Sequence, residues 1–201
     1  MTLKKIWKFI WHDDSITSWI VNIILAFVII KFLFYPALGL VLGTTHPIVA
    51  VVSSSMEHDL IYDQLTEDYI ICGKHFDIDK HINFNSYWEI CGDLYEDRNI
   101  DQAKFSKFKM KNGFNMGDII FLSSKKTINQ GDIPVYWSGR VYPIIHRVVA
   151  VNETHIVTKG DHNSGVDAPV QKDKIIGKAL FKIPYLGWIK IWAVNVWSLI
   201  I

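Results

Sequence analysis

Three groups of residues carry side chains that can do nucleophilic chemistry together: Ser53, Ser54 and Ser55; His146 within YPIIHRVVAV; and Asp161 and Asp167 within GDHNSGVD. A serine hydroxyl is a poor nucleophile at neutral pH and needs a neighbouring base. An imidazole of ordinary pKa, about 6.5, suits that task, and a carboxylate can hold its tautomer. Together the groups can make a serine triad. Each also has a plainer reading, since serine clusters serve turns, a histidine in a strand is often merely packed, and Gly-Asp-His-Asn is turn sequence. His155 and His162 compete with His146 as the base. His12, His46, His58, His75 and His81 show that histidine is not scarce, and spacing does not choose among them.

Two of these groups are brought together if the strand through His146 and the following strand to Lys159 form a hairpin around Asn152 and Glu153. A turn centred there pairs residues whose numbers sum to about 305. Lys159 then lies opposite His146, and Asp161 is a diagonal neighbour on the same face, at a Cβ separation of roughly 7 Å. A register slip of one residue would remove this contact.

The elements that must position these residues are mainly β. Pro47 opens an apolar run, Ile48 to Val52, that reads as a buried strand ending at the serines. Residues 118–123, 132–137, 142–151, 155–158 and 174–183 are further β-rich runs separated by Gly, Pro, Asn and Asp. Residues 61–112 are charged and aromatic without a single period, and read as a helical insertion or a mobile loop to which no chemistry is assigned. No internal repeat supports a solenoid.

Ahead of this lies ITSWIVNIILAFVIIKFLFY, residues 16–35. About 20 residues at about 1.5 Å each match a hydrocarbon core of about 30 Å, so the segment reads as a transmembrane anchor. Trp19 and Tyr35 suit the two interfaces, Lys31 can snorkel, and Pro36 suits the exit. The apolar region is longer than the h-region of a cleaved signal peptide. Lys4, Lys5 and Lys8 precede it, which places residues 1–15 in the cytoplasm and residues 36–187 outside. The apolar end, residues 188–201, is short for a span and reads as a membrane-associated segment that lies in the interface, docks on the domain, or begins at Ile183 and crosses a thin membrane.

The 201 residues leave roughly 150 for one soluble core beyond the anchor. A net charge of +1 carries no footprint of nucleic-acid binding. Cys72 and Cys91 form neither a CxxC pair nor a Cys/His cluster, so no metal site is expected. They form one disulfide in an oxidising compartment, or remain two separate thiols.

In order, SSSMEHDL, GDIIFL and GDIP, IIHRVVAV, TKGDHNSGVD and IPYLGW resemble the type I signal peptidases, in the archaeal and endoplasmic-reticulum branch. The resemblance covers the anchor and the outer domain except residues 61–112. It implies a signal-peptidase-like β catalytic domain and a membrane-bound serine endopeptidase acting on signal peptides of exported preproteins. By resemblance, Ser55 before Met56 is the nucleophile and His146 before Arg147 the base, where the bacterial branch has lysine. Asp167 completes the triad and Asp161 supports it. Ser53 supplies an oxyanion donor beside the Ser55 N–H, and Val51 and Val52 line shallow substrate pockets. Preproteins, membrane lipids and secretion machinery are the implied partners, with no metal or organic cofactor. The departures are Ser54, where the family often has glycine, and His58, where it often has proline; Ser54 is thereby an alternative nucleophile. Two rivals stand beside this reading: a Ser-Lys self-cleaving peptidase using Lys159 or another lysine, and a non-catalytic anchored β-rich subunit.

Overall fold

The computed structural model describes residues 2–77, 79–80, 82–124, 126–139, 141–189 and 191–192. The chain begins with helix α1 (Leu3–His12), then α2 (Ile16–Ile29), which runs through a π-helical turn (Ile30–Phe34) into α3 (Tyr35–Leu42). Ile16 to Leu42 is thus one apolar helix of 27 residues, long enough to cross a membrane. The expected exit at Pro36 is not where the helix stops. Pro36 has no N–H to return to the preceding turn, but that turn widens into π-helical geometry and the helix continues along the apolar YPALGLVL. Gly43, at φ +67°, ends it in the left-handed conformation that glycine adopts without a Cβ clash.

Eleven short strands follow among the described residues. They are β1 (Ile48–Ala50), β2 (Ile61–Asp63), β3 (Asp68–Ile71), β4 (Lys74–Phe76), β5 (Ile119–Ser123) and β6 (Pro134–Tyr136). β7 (Ile144–Ile145), β8 (Arg147–Val151), β9 (His155–Lys159), β10 (Val170–Gln171) and β11 (Ile175–Ile183) complete the set. The fold is mainly β, as the sequence predicts. A five-stranded antiparallel sheet has the order β1-β5-β11-β6-β7, and a three-stranded sheet the order β10-β9-β8. Alternation sets which side chains enter the core: Ile120 and Leu122 of β5 are buried, while their neighbours in the strand are only partly covered. They meet Val51, Met56, Phe114, Ile133, Val135 and Ala179 in one apolar cluster. Trp188 closes over Gly117, whose carbonyl accepts the Gly187 N–H at 2.7 Å. Most of the apolar end segment, residues 193–201, lies outside the described residues.

The insertion is neither purely helical nor a loop. Its first part is the meander β2-β3-β4, and its second holds the short helices α4 (Phe84–Cys91), α5 (Asp93–Glu96) and α6 (Gln102–Phe105). Asn83 and Asp101 cap α4 and α6 by accepting backbone N–H groups of the first turn. Cys72 and Cys91 form a disulfide joining the meander to α4, with Cα atoms 5.7 Å apart. Around it Ile71, Tyr87, Trp88, Tyr95, Ile100 and Phe105 make a second buried cluster that also includes Val149 of β8. The insertion therefore shares its core with the β domain.

Candidate active site

The Ser55 turn is held from both sides. Past the end of β1, Val51 donates its N–H to the Asp118 carbonyl and accepts the Gly117 N–H, each at 2.9 Å. Val51 and Met56 are both buried, so the chain between them is a turn with a buried anchor at each end. The Ser55 carbonyl accepts the His162 N–H at 2.9 Å. Gly160 permits this approach, because a Cβ there would lie 2.8 Å from the Ser55 carbonyl oxygen.

His146 follows β7 directly, just as the serine turn follows β1, and these two strands are the opposite edges of the five-stranded sheet. His146 Nε2 lies 3.0 Å from Ser55 Oγ, and His146 Nδ1 lies 2.6 Å from Asp167 Oδ2. A carboxylate only accepts, so Nδ1 carries the proton and Nε2 presents its lone pair to the serine hydroxyl. The imidazole is buried while Ser55 is half-buried. Asp167 Oδ2 also accepts from Thr158 Oγ1 at 2.7 Å and Tyr136 OH at 3.2 Å, and Tyr136 OH and Thr158 Oγ1 are 2.8 Å apart. Partial burial alone would raise the Asp167 carboxyl. The hydrogen bond and charge of His146, with the Thr158 and Tyr136 hydroxyls, outweigh it and hold the group below the usual carboxylate range. The arrangement can activate a serine and stabilise the imidazolium that results.

Asp161 does not meet His146. The observed register pairs Arg147 with Lys159 and Val148 with Thr158, one residue away from the predicted pairing, before a bulge shifts it again towards Val151. The slip gives Asp161 to Arg147. Arg147 Nη2 and Nε donate to its carboxylate at 2.7 and 2.9 Å, Tyr95 OH donates at 2.9 Å, and His58 Nε2 lies 2.9 Å away. Tyr87 OH donates to the Asp161 carbonyl at 2.8 Å, and Arg147 also donates to the carbonyls of Lys109 and Met110. Both Arg147 and Asp161 are fully buried. Burial would raise the Asp161 carboxyl, but Arg147 and His58 drive it far below its ordinary value. The network fixes the loop whose next residue, His162, holds Ser55.

No protein-family model matches the chain. Among curated proteins it is similar to the signal peptidase complex catalytic subunit SEC11 of Saccharomyces cerevisiae, strains YJM789 and RM11-1a. Each is 37% identical over 99 residues, covering 41% of this chain and 59% of the relative. The likeness is thus to a signal peptidase catalytic subunit, the kind of protein that the ordered motifs resemble. The chain spans 59% of the length of the relatives it matches.

The remaining candidates separate by position. Ser53 Oγ lies 3.2 Å from Ser55 Oγ. Val52 is half exposed, whereas the Val51 side chain is buried in the apolar core. Ser54 has no hydrogen bond to a base among the described residues; its carbonyl accepts the Glu57 N–H. His155 bonds within its hairpin to Asn152 and Thr154, and His162 Nδ1 faces the Glu57 carbonyl, so neither reaches the Ser55 hydroxyl. Lys159 is buried, donates to the Gly160 and Asp161 carbonyls and sits over the Tyr95 ring. Burial lowers its pKa to about 8, and among the described residues its ammonium makes no hydrogen bond to Ser55. Among the described residues no group of three His, Cys, Asp or Glu could hold a metal ion. Sequence reasoning missed Thr158 and Tyr136 at the carboxylate, and Tyr87, Tyr95 and His58 around Asp161. Thr158 carried a signal, since it lies two residues before Gly160 on a strand already placed beside His146. The tyrosines carried none.

Proposed function

We propose that this protein is a membrane-bound serine endopeptidase that removes N-terminal signal peptides from exported preproteins. The observation that carries the reading is the hydrogen-bonded series Ser55, His146 and Asp167, at 3.0 and 2.6 Å, in a chain homologous to SEC11. Ser55 Oγ attacks the carbonyl carbon at the cleavage site as its proton passes to His146 Nε2. The tetrahedral adduct collapses with cleavage of the C–N bond, and His146 gives the proton to the departing amine. Water then attacks the acyl-enzyme, its proton passing to His146 and back to Ser55 Oγ as the ester bond breaks. The Ser55 N–H donates to no acceptor among the described residues and, with the Ser53 hydroxyl, serves the developing oxyanion.

The edge of β1, unpaired among the described residues, suits an extended peptide added as a strand, with Val52 beside the small side chains that precede a signal-peptide cleavage site. The helix from Ile16 to Leu42 spans the membrane with Lys4, Lys5 and Lys8 on the cytoplasmic side, and the β domain stands on the other. The endoplasmic-reticulum membrane, its lipids and a secretion machinery supply its setting. Cleavage of a secretory precursor by purified protein in detergent or lipid tests this. Ser55→Ala and His146→Ala are each expected to abolish cleavage with the fold intact. Cleavage retained in Ser55→Ala would reject the nucleophile, and retained only in His146→Ala would favour a lysine base.

A further inference from the structure

We propose that α1 is an interfacial helix that docks on the anionic lipid surface around the N-terminal end of the anchor. The proposal rests on the reading of Ile16–Leu42 as a membrane span. At about 100° per residue, Leu3, Ile6, Trp7, Ile10 and Trp11 of α1 fall on one face, while Lys4, Lys5, Lys8 and His12 fall on the opposite one. Among the described residues nothing covers the apolar face: Leu3 is 86%, Trp7 62% and Trp11 65% exposed. A ten-residue helix is marginal in water, so it needs a surface that takes both faces at once. Lipid at the headgroup boundary does this, with tryptophan rings at the interface and lysines beside anionic headgroups.

Continuity with the anchor selects lipid over a protein partner. Ser18 Oγ donates to the Phe9 carbonyl at 2.6 Å, and Asn22 Nδ2 to the Ile10 carbonyl at 2.9 Å, tying the end of α1 to the first two turns of the apolar helix. Asn22 lies six residues past Ile16, about 9 Å along a helix, within the depth of about 5–10 Å at which interfacial helices bury their apolar face. A span that begins near Ile16 thus carries α1 into the boundary.

Both cysteines of the chain form its disulfide, so single introduced cysteines can carry a nitroxide in full-length protein. In nanodiscs with about one third phosphatidylglycerol, an amount that makes the surface anionic, labels in Trp7→Cys and Trp11→Cys should relax with oxygen and resist a water-soluble nickel chelate. Labels in Lys5→Cys and His12→Cys should show the reverse. Adding Lys4→Gln, Lys8→Gln or both should lower the ratio of docked to undocked helix about fivefold per lysine. Nickel access at positions 7 and 11 equal to that at position 5 overturns the proposal, as does shielding from both reagents, which would show a covering protein. A label in Ile23→Cys separates the two readings: nickel access there refutes the span itself.

Discussion

In the proposed reaction the acidic partner of His146 decides how well Ser55 is activated, and one carboxylate oxygen, Asp167 Oδ2, accepts from His146, Thr158 and Tyr136. Replacing Asp167 by Asn leaves the size unchanged but turns an acceptor into an amide that no longer fixes the Nδ1–H tautomer. The expected result is a fall in kcat of about 10⁴-fold with little change in thermal midpoint. Thr158→Val removes one donor to a charged acceptor and should lower kcat about tenfold. It should also raise the Asp167 pKa, read by NMR titration of its carboxyl carbon, because Asp167 loses part of what holds its pKa down. An unmoved carboxyl titration in Thr158→Val would show that the hydroxyl does not tune the carboxylate. The meeting of Ser55, His146 and Asp167 was legible only through the family resemblance that the ordered motifs carry. The Asp161 contact was not, because it depends on a strand register one residue from that expected from the turn. Arg147, read only as the neighbour of His146, takes Asp161 instead.

The helical and β elements were legible where one period runs long enough, and obscure where short pieces follow each other. The apolar helix was plain from residue 16, yet its end was not, since Pro36 sits behind a π-helical turn that absorbs it. The insertion showed no period because it joins three strands of three or four residues to helices of eight, four and four. Its relation to the site runs through the disulfide: Cys72 N–H donates to the His162 carbonyl at 2.8 Å, and His162 N–H donates to the Ser55 carbonyl at 2.9 Å. The bridge closes a loop over a sequence separation of 19 residues, so loop-closure entropy assigns it about 3 kcal/mol. A Cys72→Ala, Cys91→Ala double variant should therefore unfold at a lower denaturant midpoint. Because the backbone at Cys72 also steadies the Ser55 turn, kcat should fall at temperatures where the variant is still folded. Full kcat in the folded variant would make the bridge a staple for the insertion alone.

At the scale of the whole molecule, the charges of Arg147, Lys159 and Asp161 are enclosed where insertion and β domain share a core, so stability must follow their protonation. Asp161 is held far below its ordinary value, which means the unfolded chain binds its proton first as pH falls. Its contribution is therefore complete above the unfolded carboxyl range, about 4, and is lost as pH drops below it. Lys159 acts in the other direction. Burial lowers it to about 8, against the opposing attraction of Asp161, with Arg147 beside it adding to the lowering and Asp167 and Asp93 opposing it. Between about 8 and the ordinary lysine value near 10.5 the folded chain has released a proton that the unfolded chain still holds, so this group adds stability as pH rises. Tyr87 and Tyr95, whose hydroxyls burial pushes well above their usual value, pull the alkaline limb down in both proteins of a comparison. The difference between wild type and Lys159→Met isolates the lysine. Thermal midpoints measured in detergent from pH 7 to 10 should show wild type gaining on Lys159→Met above about pH 8. A difference that stays constant over this range would mean that Lys159 keeps its proton in the fold, and that the enclosed network holds its ammonium charged.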